Sequence, residues 1–386
     1  MDKPSKHPFI TFNKPFVAGK ELFYISQAVM ENLHLSGNGP FTQRCHHWLE
    51  TTLGVTKALL THSCTAALEM SAMLVDIQPG DEVILPSFTF VSTANAFVLR
   101  GGVPVFVDIR EDTLNIDERL IEAAVTEKTR AIVPVHYAGR PCELDAILDL
   151  ADRHGVFVIE DAAQSLLSKY KGRYLGTLGH LGCVSFHETK NIISGEGGAL
   201  LINDARFTRR AEVIWEKGTN RAQFFRGEVD KYTWQDIGSS YPPAELVSAF
   251  LWAQLEQAHH IIQTRNEIFS AYYEAFKPLE KRGCFRLPAP VVAEEGNGHI
   301  FHLLVKTPEE SKRLIRHLQD RNIKAVFHYV PLHSSVAGRK YGRVSGDMKV
   351  TDDISGRIVR LPLFFEMTQD QQGRVIDAVY EFFTRN

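Results

Sequence analysis

The sequence predicts an α/β fold, with a large domain built on a mostly parallel sheet flanked by helices and a smaller C-terminal α/β domain. From about residue 55 onwards, short runs of β-branched residues alternate with segments of helical periodicity, as expected for parallel strands joined by crossover helices. Most of these runs are continuously apolar, which is typical of strands buried on both faces. A chain of 386 residues is also too long for one small core, so two or three structural units are expected.

Six strands are predicted in the large domain, at residues 83–86, 105–109, 131–137, 156–160, 183–187 and 199–203. Helices are predicted between several of them, including residues 65–75 and 143–153. Residues 244–276 keep helical periodicity without an interior Gly or Pro, which predicts one helix of roughly 50 Å that bridges two domains. A strand near 300–305 and helices at 310–321 and 369–383 follow. The large domain is therefore placed at residues 1–245, and the bridging helix with the small domain at 246–386. The N-terminal segment is a candidate to pack on the small domain.

Charge and composition narrow the class of function. The chain has 43 basic and 46 acidic residues spread along it, so neither nucleic acid nor an anionic membrane is expected as a partner. No signal peptide and no run of ~20 apolar residues is visible, which predicts a cytoplasmic protein without a membrane span. The five cysteines form no Cys-x-x-Cys pair, which predicts free thiols. The C-terminal part has four histidines that could bind a metal, His299, His302, His328 and His333. No Cys or carboxylate lies at ligand spacing from them, so no metal site is predicted.

A lysine after a strand is the most informative residue. The segment Val184-Ser185-Phe186-His187-Glu188-Thr189-Lys190-Asn191 leaves a predicted strand and runs into Gly195-Glu196-Gly197-Gly198. A lysine amine held in a cleft, and partly deprotonated there, can form a Schiff base with an aldehyde cofactor. Another strand runs directly into Asp161, whose carboxylate can pair with the protonated ring nitrogen of such a cofactor. Gln164 follows and can donate a hydrogen bond to a ring oxygen.

Two further turns follow predicted strands. In Thr61-His62-Ser63-Cys64-Thr65-Ala66 a strand ends and a helix begins, and free N–H groups with the helix dipole make a phosphate site there. Ser63 or Thr65 can equally serve as a simple helix N-cap. Pro86-Ser87-Phe88-Thr89-Phe90 follows the next strand and places Phe88 where it can stack on a planar cofactor. Because ligands of open parallel sheets gather at the carboxyl ends of the strands, these turns predict one common site.

Taken together, these motifs resemble the sugar aminotransferase family of fold-type I pyridoxal-phosphate (PLP) enzymes, over residues 9–383. The family's Ser-x-Thr-Ala, Pro-Ser/Thr-Phe-Thr-Phe, Glu-Asp-Ala-Ala-Gln, Ser-Phe-His-x-x-Lys-Asn and Gly-Glu-Gly-Gly segments occur here in that order. The resemblance implies that PLP is the cofactor and that Lys190 is the catalytic residue, which holds PLP as a Schiff base. Six other residues are then expected to contact PLP. They are Cys64, Thr65 and Ser185 at the phosphate, Phe88 on the ring face, Asp161 at the ring nitrogen and Gln164 at the ring oxygen.

One segment departs from the family pattern. Many relatives carry Gly-x-Asn-Tyr-Arg-Met before the long helix, with the Asn reaching the phosphate in a partner subunit. This chain has Gly238-Ser239-Ser240-Tyr241-Pro242-Pro243 instead. Ser240 is expected to substitute as a shorter hydrogen-bonding group, although the two prolines remove N–H donors and stiffen the path. The resemblance also implies a homodimer with shared active sites.

Substrate contacts are predicted from two segments. Residues 217–234 combine basic and aromatic side chains, which suit a diphosphate and an apolar wall for a sugar or base, and which also suit a solvated loop. The candidates there are Phe225, Arg226 and Lys231. The segment Phe327-His328-Tyr329-Val330-Pro331-Leu332-His333 also matches the family and adds Tyr329 and His333.

The activity that the resemblance implies is transfer of an amino group from glutamate to C4 of a nucleotide-linked 4-keto-6-deoxy sugar. Matches at residues 85–101, 217–227 and 327–333 point to dTDP-4-keto-6-deoxyglucose as substrate and dTDP-4-amino-4,6-dideoxygalactose as product. This product is a precursor of surface polysaccharide such as enterobacterial common antigen. The alternatives are a transaminase acting at C3, a PLP-dependent sugar dehydratase, and a non-catalytic regulator or scaffold. Lys190 favours transamination, since the dehydratases have His there, and the configuration of the product amine stays open.

Overall fold

The computed structural model describes residues 8–290 and 295–384 of the chain. Within these residues the largest element is an eight-stranded sheet. Its strands, in spatial order, are β1 (Lys57–Thr61), β9 (Gly198–Ile202), β8 (Leu181–Ser185), β5 (Phe157–Asp161), β4 (Thr129–Ile132), β2 (Glu82–Pro86), β3 (Val103–Val107) and β12 (Arg343–Val344). The strands from β8 to β12 in this order are parallel, and β9 is antiparallel to both of its neighbours. The predicted α/β class with a mostly parallel sheet is therefore confirmed.

Helices connect and cover these strands. Before residue 245 they are α1 (Glu21–Met30), α2 (Pro40–Leu53), α3 (Cys64–Leu74), α4 (Val91–Val98), α5 (Glu118–Ile121), α6 (Leu144–His154), α7 (Thr208–Trp215) and α8 (Arg221–Phe225). Local chemistry accounts for several of their ends. Gly54 after α2 and Gly155 after α6 take left-handed backbone angles, which glycine adopts without the strain that a Cβ would cause. A short hairpin of β6 (Lys169–Tyr170) and β7 (Arg173–Tyr174) lies between β5 and β8.

A second, antiparallel sheet lies in the C-terminal part, with β11 (Phe301–Val305) between β10 (Phe285–Arg286) and β13 (Ile358–Leu361). Around it lie α11 (Pro308–Gln319), α12 (Val336–Tyr341), α13 (Lys349–Arg357) and α14 (Gln369–Thr384). Its hydrophobic core also contains Ile10, whose backbone pairs with Asn322 and Lys324. The chain returns to the large sheet at β12, which adds to the edge of β3. The domain boundary at residue 245 stays a prediction.

The helix expected over residues 244–276 is the main correction to the predicted elements. It is broken at Gln257, whose backbone angles of φ −107° and ψ 6° are not helical, into α9 (Glu245–Glu256) and α10 (Ala258–Lys281). The sequence has no Gly or Pro at this point, so its periodicity does not reveal the break. The break lies where packing partners change, since α9 packs on α1 and α2. The buried residues of α10 belong to two cores, with Ile261 beside the large sheet and Tyr272 beside the small one.

None of the helices in the described part of the chain combines the length and apolar composition needed to cross a membrane.

Candidate active site

A cavity of about 790 Å³ opens where the carboxyl ends of the large-sheet strands face the second sheet. Several strands of the large sheet contribute residues that lie just after the strand ends, as the topology rule for open parallel sheets predicts. The second sheet and its neighbouring loop close the opposite side. Residues on the large-sheet side include Ser63, Cys64, Thr65, Phe90, Asp161, Gln164, Ser185 and Lys190, and those opposite include Val326, His328, Tyr329 and Arg360.

The amino end of α3 forms one wall of this cavity. Ser63 caps the helix, and its side chain accepts a hydrogen bond of 3.1 Å from the N–H of Ala66. Cys64 and Thr65 lie in the first turn, where backbone N–H groups have no acceptor within the helix. Gly198 makes this arrangement possible, because a Cβ there would lie 2.4 Å from the amide nitrogen of Cys64. The turn thus offers free donors and a helix dipole to an anion.

Asp161 ends β5 and points into the same cavity. Its Oδ2 accepts a hydrogen bond of 2.7 Å from the Thr93 hydroxyl, and its Oδ1 accepts one of 3.1 Å from the N–H of Ala163. Gln164 follows Asp161 in the segment after β5. Its Oε1 accepts from the N–H of Ala138 at 2.7 Å, and its Nε2 donates to the Tyr329 hydroxyl at 2.9 Å. Each side chain is therefore held in one orientation before any ligand binds.

Lys190 follows β8 through a turn in which its N–H donates to the carbonyl of His187. Burial lowers the pKa of its amine, while the nearby Cys64 and Asp161 oppose that shift. Among the described residues no side chain hydrogen-bonds to its Nζ. Ser185, the last residue of β8, also lines the cavity, and its Oγ accepts from the N–H of His187 at 3.3 Å. Lys190 is therefore an amine that is easier to deprotonate than an exposed lysine and has no competing partner.

Phe88 does not lie where it was expected. It is 1% exposed and packs against the rings of Tyr137 and Tyr329, at centroid distances of 5.1 and 5.6 Å, rather than lining the cavity. Phe90, two residues later, is 57% exposed and does line it. Phe88 therefore does not line the cavity, where a ring-stacking residue was expected, and Phe90 is the aromatic of this motif that does. Both aromatics belong to the same motif, and the sequence motif does not show which ring turns towards the cavity.

Most of the predicted substrate contacts are also absent from the cavity. Arg226 forms ion pairs with Glu212 and Glu228, at 3.0 and 2.6 Å, and Phe225 is exposed on the outer loop. Lys231 and Ser240 are exposed and do not line the cavity of this chain. His333 instead shares a hydrogen bond of 2.7 Å between its Nδ1 and the buried Ser87 hydroxyl. Of the five predicted substrate residues only Tyr329 lines the cavity of this chain, and no residue of the segment 217–240 does.

Three residues near the cavity were not anticipated from sequence. Thr93 lies inside α4 and reaches Asp161, whereas Arg360 and His328 come from the second sheet and its adjacent loop. His328 is neutral over the physiological range, because burial lowers the pKa of its imidazole, and its Nδ1 lies 3.0 Å from the Tyr137 hydroxyl. Thr93 and His328 lie in the segments 85–101 and 327–333 that match the family, but no role was predicted for their side chains, and no sequence motif marks Arg360. In the part of the chain that the structure describes, His, Cys, Asp and Glu form no group of three or more suited to a metal ion.

Comparison with known proteins assigns this architecture to a family. The sequence model of the DegT/DnrJ/EryC1/StrS aminotransferase family matches residues 18–380. The spore coat polysaccharide biosynthesis protein SpsC of Bacillus subtilis is 34% identical over 385 residues, with 97% of each chain covered. The GDP-perosamine synthase of Escherichia coli O157:H7 is 30% identical over 384 residues, with 97% of this chain and 99% of that protein covered.

Solved structures agree with this assignment. Helicobacter pylori PseC, an aminotransferase involved in the biosynthesis of pseudoaminic acid, superposes with a TM-score of 0.89 at 25% identity over 98% of this chain and all of the other. The aminotransferase TlmJ of Streptoalloteichus hindustanus gives a TM-score of 0.88 at 28% identity over 97% of this chain and 99% of the other. This chain belongs to the DegT/DnrJ/EryC1/StrS aminotransferase family and is a PLP-dependent sugar aminotransferase.

Proposed function

We propose that this enzyme transfers the amino group of glutamate to C4 of dTDP-4-keto-6-deoxyglucose, giving dTDP-4-amino-4,6-dideoxygalactose for surface polysaccharide such as enterobacterial common antigen. The observation that carries the chemistry is the amine of the partly buried Lys190, which shares one cavity with the Asp161 carboxylate and the amino end of α3. A nucleotide-linked sugar as the class of substrate is supported by the relatives, whose names refer to polysaccharide biosynthesis and to a GDP-linked sugar.

The cavity suits PLP at each of its functional groups. The free N–H groups of Cys64 and Thr65, with the Ser185 hydroxyl, would hold the phosphate. Asp161 would pair with the protonated ring nitrogen, Gln164 would contact the ring oxygen, and Phe90 would cover the ring face. PLP, when bound, supplies an aldehyde that combines with amines and a ring that withdraws electrons from them.

The residues of this chain supply positioning and proton transfer. Thr93 and the amide of Ala163 hold both carboxylate oxygens of Asp161, so the carboxylate would be fixed in place to pair with the ring nitrogen. Burial lowers the pKa of Lys190, which increases the fraction of neutral amine that can accept a proton near neutral pH. We propose that Lys190 holds PLP in the resting enzyme, accepts the proton from the amino donor and delivers a proton to C4 of the sugar.

A homodimer with shared active sites is part of this proposal. Residues 217–240 do not line the cavity of their own chain, and they expose large apolar side chains, with Phe225 at 65% and Trp234 at 81% exposure. Exposed aromatics beside basic residues are typical of an interface or a ligand-binding surface. We propose that Phe225, Arg226, Lys231 and Ser240 act in the cavity of a second copy.

The five cysteines are unpaired, which supports a cytoplasmic location, where thiols are kept reduced.

The test is to incubate the PLP-loaded enzyme with glutamate and dTDP-4-keto-6-deoxyglucose and to analyse the product by mass spectrometry and NMR. A 4-amino product with the galacto configuration, formed together with 2-oxoglutarate, is expected. A C3 amine would indicate a C3 transaminase, and loss of water without amination would indicate a dehydratase. Lys190→Ala should abolish turnover and change the absorption of bound PLP from that of a Schiff base to that of the free aldehyde, and unchanged absorption would contradict the role of Lys190. Light scattering measures the molar mass of the enzyme and so tests the proposed dimer. A monomer with full activity would exclude shared active sites.

A further inference from the structure

A second cavity, of about 230 Å³, lies between the segment that follows β4 and one face of α10. The segment contributes residues 138–140, and the helix contributes side chains on successive turns, at positions 266, 269, 270, 273 and 274. Among the described residues, none lines both this cavity and the one that contains Lys190. Sites for drug-sized ligands measure roughly 300–1,000 Å³, so the second cavity has room for a small molecule and not for a sugar nucleotide.

Arg140 supplies a buried positive charge to the second cavity. It is 5% exposed, and its side chain forms no hydrogen bond or ion pair with any residue in the described ranges 8–290 and 295–384. Burial lowers the pKa of its guanidinium to about 10, so the group is still charged at neutral pH. Its backbone is fixed, because its N–H donates to the carbonyl of Tyr137 and its carbonyl accepts from the Asn115 amide. A buried cation without a partner is costly, and a ligand anion would complete it.

Two neighbouring charges show that Arg140 is left unsatisfied by its surroundings. Arg265 is equally buried, but it donates hydrogen bonds to the backbone carbonyls of three residues, at 3.0 to 3.2 Å. Glu274 lines the second cavity, but it is exposed and pairs with Lys277 at 2.6 Å instead of with Arg140. The only carboxylate that lines the cavity in the described part of the chain is therefore already compensated.

The remaining lining suits a flat apolar group. Phe269 and Tyr273 lie one turn apart on α10, with ring centroids 6.4 Å apart and planes inclined by 16°. We propose that the second cavity binds a small organic monocarboxylate with a flat apolar body, and that this ligand acts on the PLP site. The two parallel N–H donors of Arg140 match the two oxygens of a carboxylate. Glu274 at the exposed side disfavours a second negative charge, so a phosphate dianion or a dicarboxylate should fit less well.

The wall of the second cavity also holds residues that we assign to PLP. The N–H of Ala138 donates to Oε1 of Gln164 at 2.7 Å, and Nδ2 of Asn297 donates to the carbonyl of Gln164 at 2.9 Å. The carbonyl of Asn297 accepts a hydrogen bond of 2.7 Å from Asn191, the residue after Lys190. A ligand that fills the second cavity restrains Ala138 and Asn297, and through them the segments that carry Gln164 and Lys190. It should therefore slow the loss of PLP, whichever sugar is the substrate.

The experiment uses benzoate as the probe and the PLP-loaded enzyme as the receptor. Calorimetry should show one benzoate site per chain and much weaker binding of benzyl alcohol, which lacks the charge. Arg140→Gln should weaken benzoate binding about 10- to 100-fold, the range expected when a charge-assisted hydrogen bond to a carboxylate is lost. This variant should fold, because it removes a buried charge that has no partner. Ser270→Phe, at an exposed position of the lining, should block the cavity and weaken binding while it leaves Arg140 intact.

Controls separate the second cavity from the PLP site. Arg316→Gln changes an exposed arginine on α11 and should bind benzoate as wild type does. Benzoate binding that is lost in Arg360→Gln but unchanged in Arg140→Gln would place the probe in the cavity of Lys190 and overturn the inference. Tighter binding of inorganic phosphate than of benzoate, dependent on Arg140, would refute the carboxylate as the ligand class.

The action on the PLP site has its own measurement. Saturating benzoate should slow the loss of PLP absorption during dialysis of the wild-type enzyme by about fivefold or more, the lower end of typical coupling between two sites. Arg140→Gln should lose PLP at the same rate with and without benzoate. Benzoate that binds through Arg140 but leaves the rate of PLP loss unchanged in wild type would refute the coupling between the two sites.

Discussion

The hydroxyl of Thr93 donates a hydrogen bond of 2.7 Å to Oδ2 of Asp161, and the same hydroxyl lies 2.8 Å from that of Thr89. A helix residue thereby fixes the carboxylate that we assign to the ring nitrogen of PLP. All three side chains are buried, so water cannot replace a lost partner at low cost.

Replacing Thr93 by Val should weaken the binding of PLP. The variant keeps the shape of the side chain but leaves Oδ2 of Asp161 without its donor, which costs about 1.5–3 kcal/mol for a hydrogen bond to a charged group. The PLP dissociation constant, measured from the visible absorption, should rise accordingly. Thr93→Ser should restore most of the affinity because it keeps the hydroxyl. Equal affinity of the Val and wild-type proteins would show that Thr93 does not position Asp161.

Phe88 and Phe90 should respond to Ala substitution in opposite ways. Phe88→Ala leaves a hole among buried aromatics and should reduce the free energy of unfolding by about 3–5 kcal/mol. Phe90→Ala removes a largely exposed ring and should leave stability almost unchanged while increasing the rate of PLP loss. Thermal unfolding and the absorption of retained PLP measure the two effects. Retention of PLP by Phe90→Ala at the wild-type rate would argue against stacking by this ring.

Gly198→Ala should impair the phosphate site. The new Cβ would lie 2.4 Å from backbone atoms of Ser63 and Cys64, so the turn at the start of α3 must shift. We expect weaker binding of PLP, and weaker binding of inorganic phosphate by the apoprotein in calorimetry. Gly373→Ala is the matched control, since a Cβ there meets nothing within 4 Å and the residue lies inside α14. It should leave both affinities unchanged and increase stability by up to about 1 kcal/mol.

Lys190→Met should stabilise the apoprotein at neutral pH. Burial lowers the pKa of this amine in the folded chain, so the unfolded chain binds more protons between the lowered pKa and the ordinary value of 10.5. The stability of wild type therefore rises with pH through this interval, and below it the charged amine is a penalty. Removing that penalty should increase the free energy of unfolding by about 0.5–2 kcal/mol at neutral pH, a gain typical of substitutions that replace a destabilising functional residue. Denaturant unfolding of both apoproteins should show that the difference between their free energies of unfolding decreases from pH 7 to pH 10. A difference that stays constant over this range would contradict the prediction.

Much of the site could be predicted from the sequence because each of its parts lies in a short segment of the chain. Lys190, Asp161 and the turn at Cys64 each follow an apolar run, and parallel strands bring such positions to one edge of the sheet. The sequence could not show which of Phe88 and Phe90 lines the cavity. Both rings follow the same strand, and only the packing of Tyr137 and Tyr329 around Phe88 turns Phe90 to the cavity. Residues 217–240 do not line the cavity of their own chain, and composition does not tell which surface such a segment faces.

Sequence alone determined the α/β class, the order of the motifs and the lysine that we assign to PLP, because periodicity and strand ends are properties of short segments. Tertiary structure decided the break at Gln257 and the far wall of the cavity. Arg360 is 170 positions from Lys190 in a strand without a motif, and only the packing of the second sheet against the large one brings the two together. Contacts between distant segments depend on how cores pack, which no local pattern records. That is why Lys190 could be proposed from the sequence and the cation across the cavity could not.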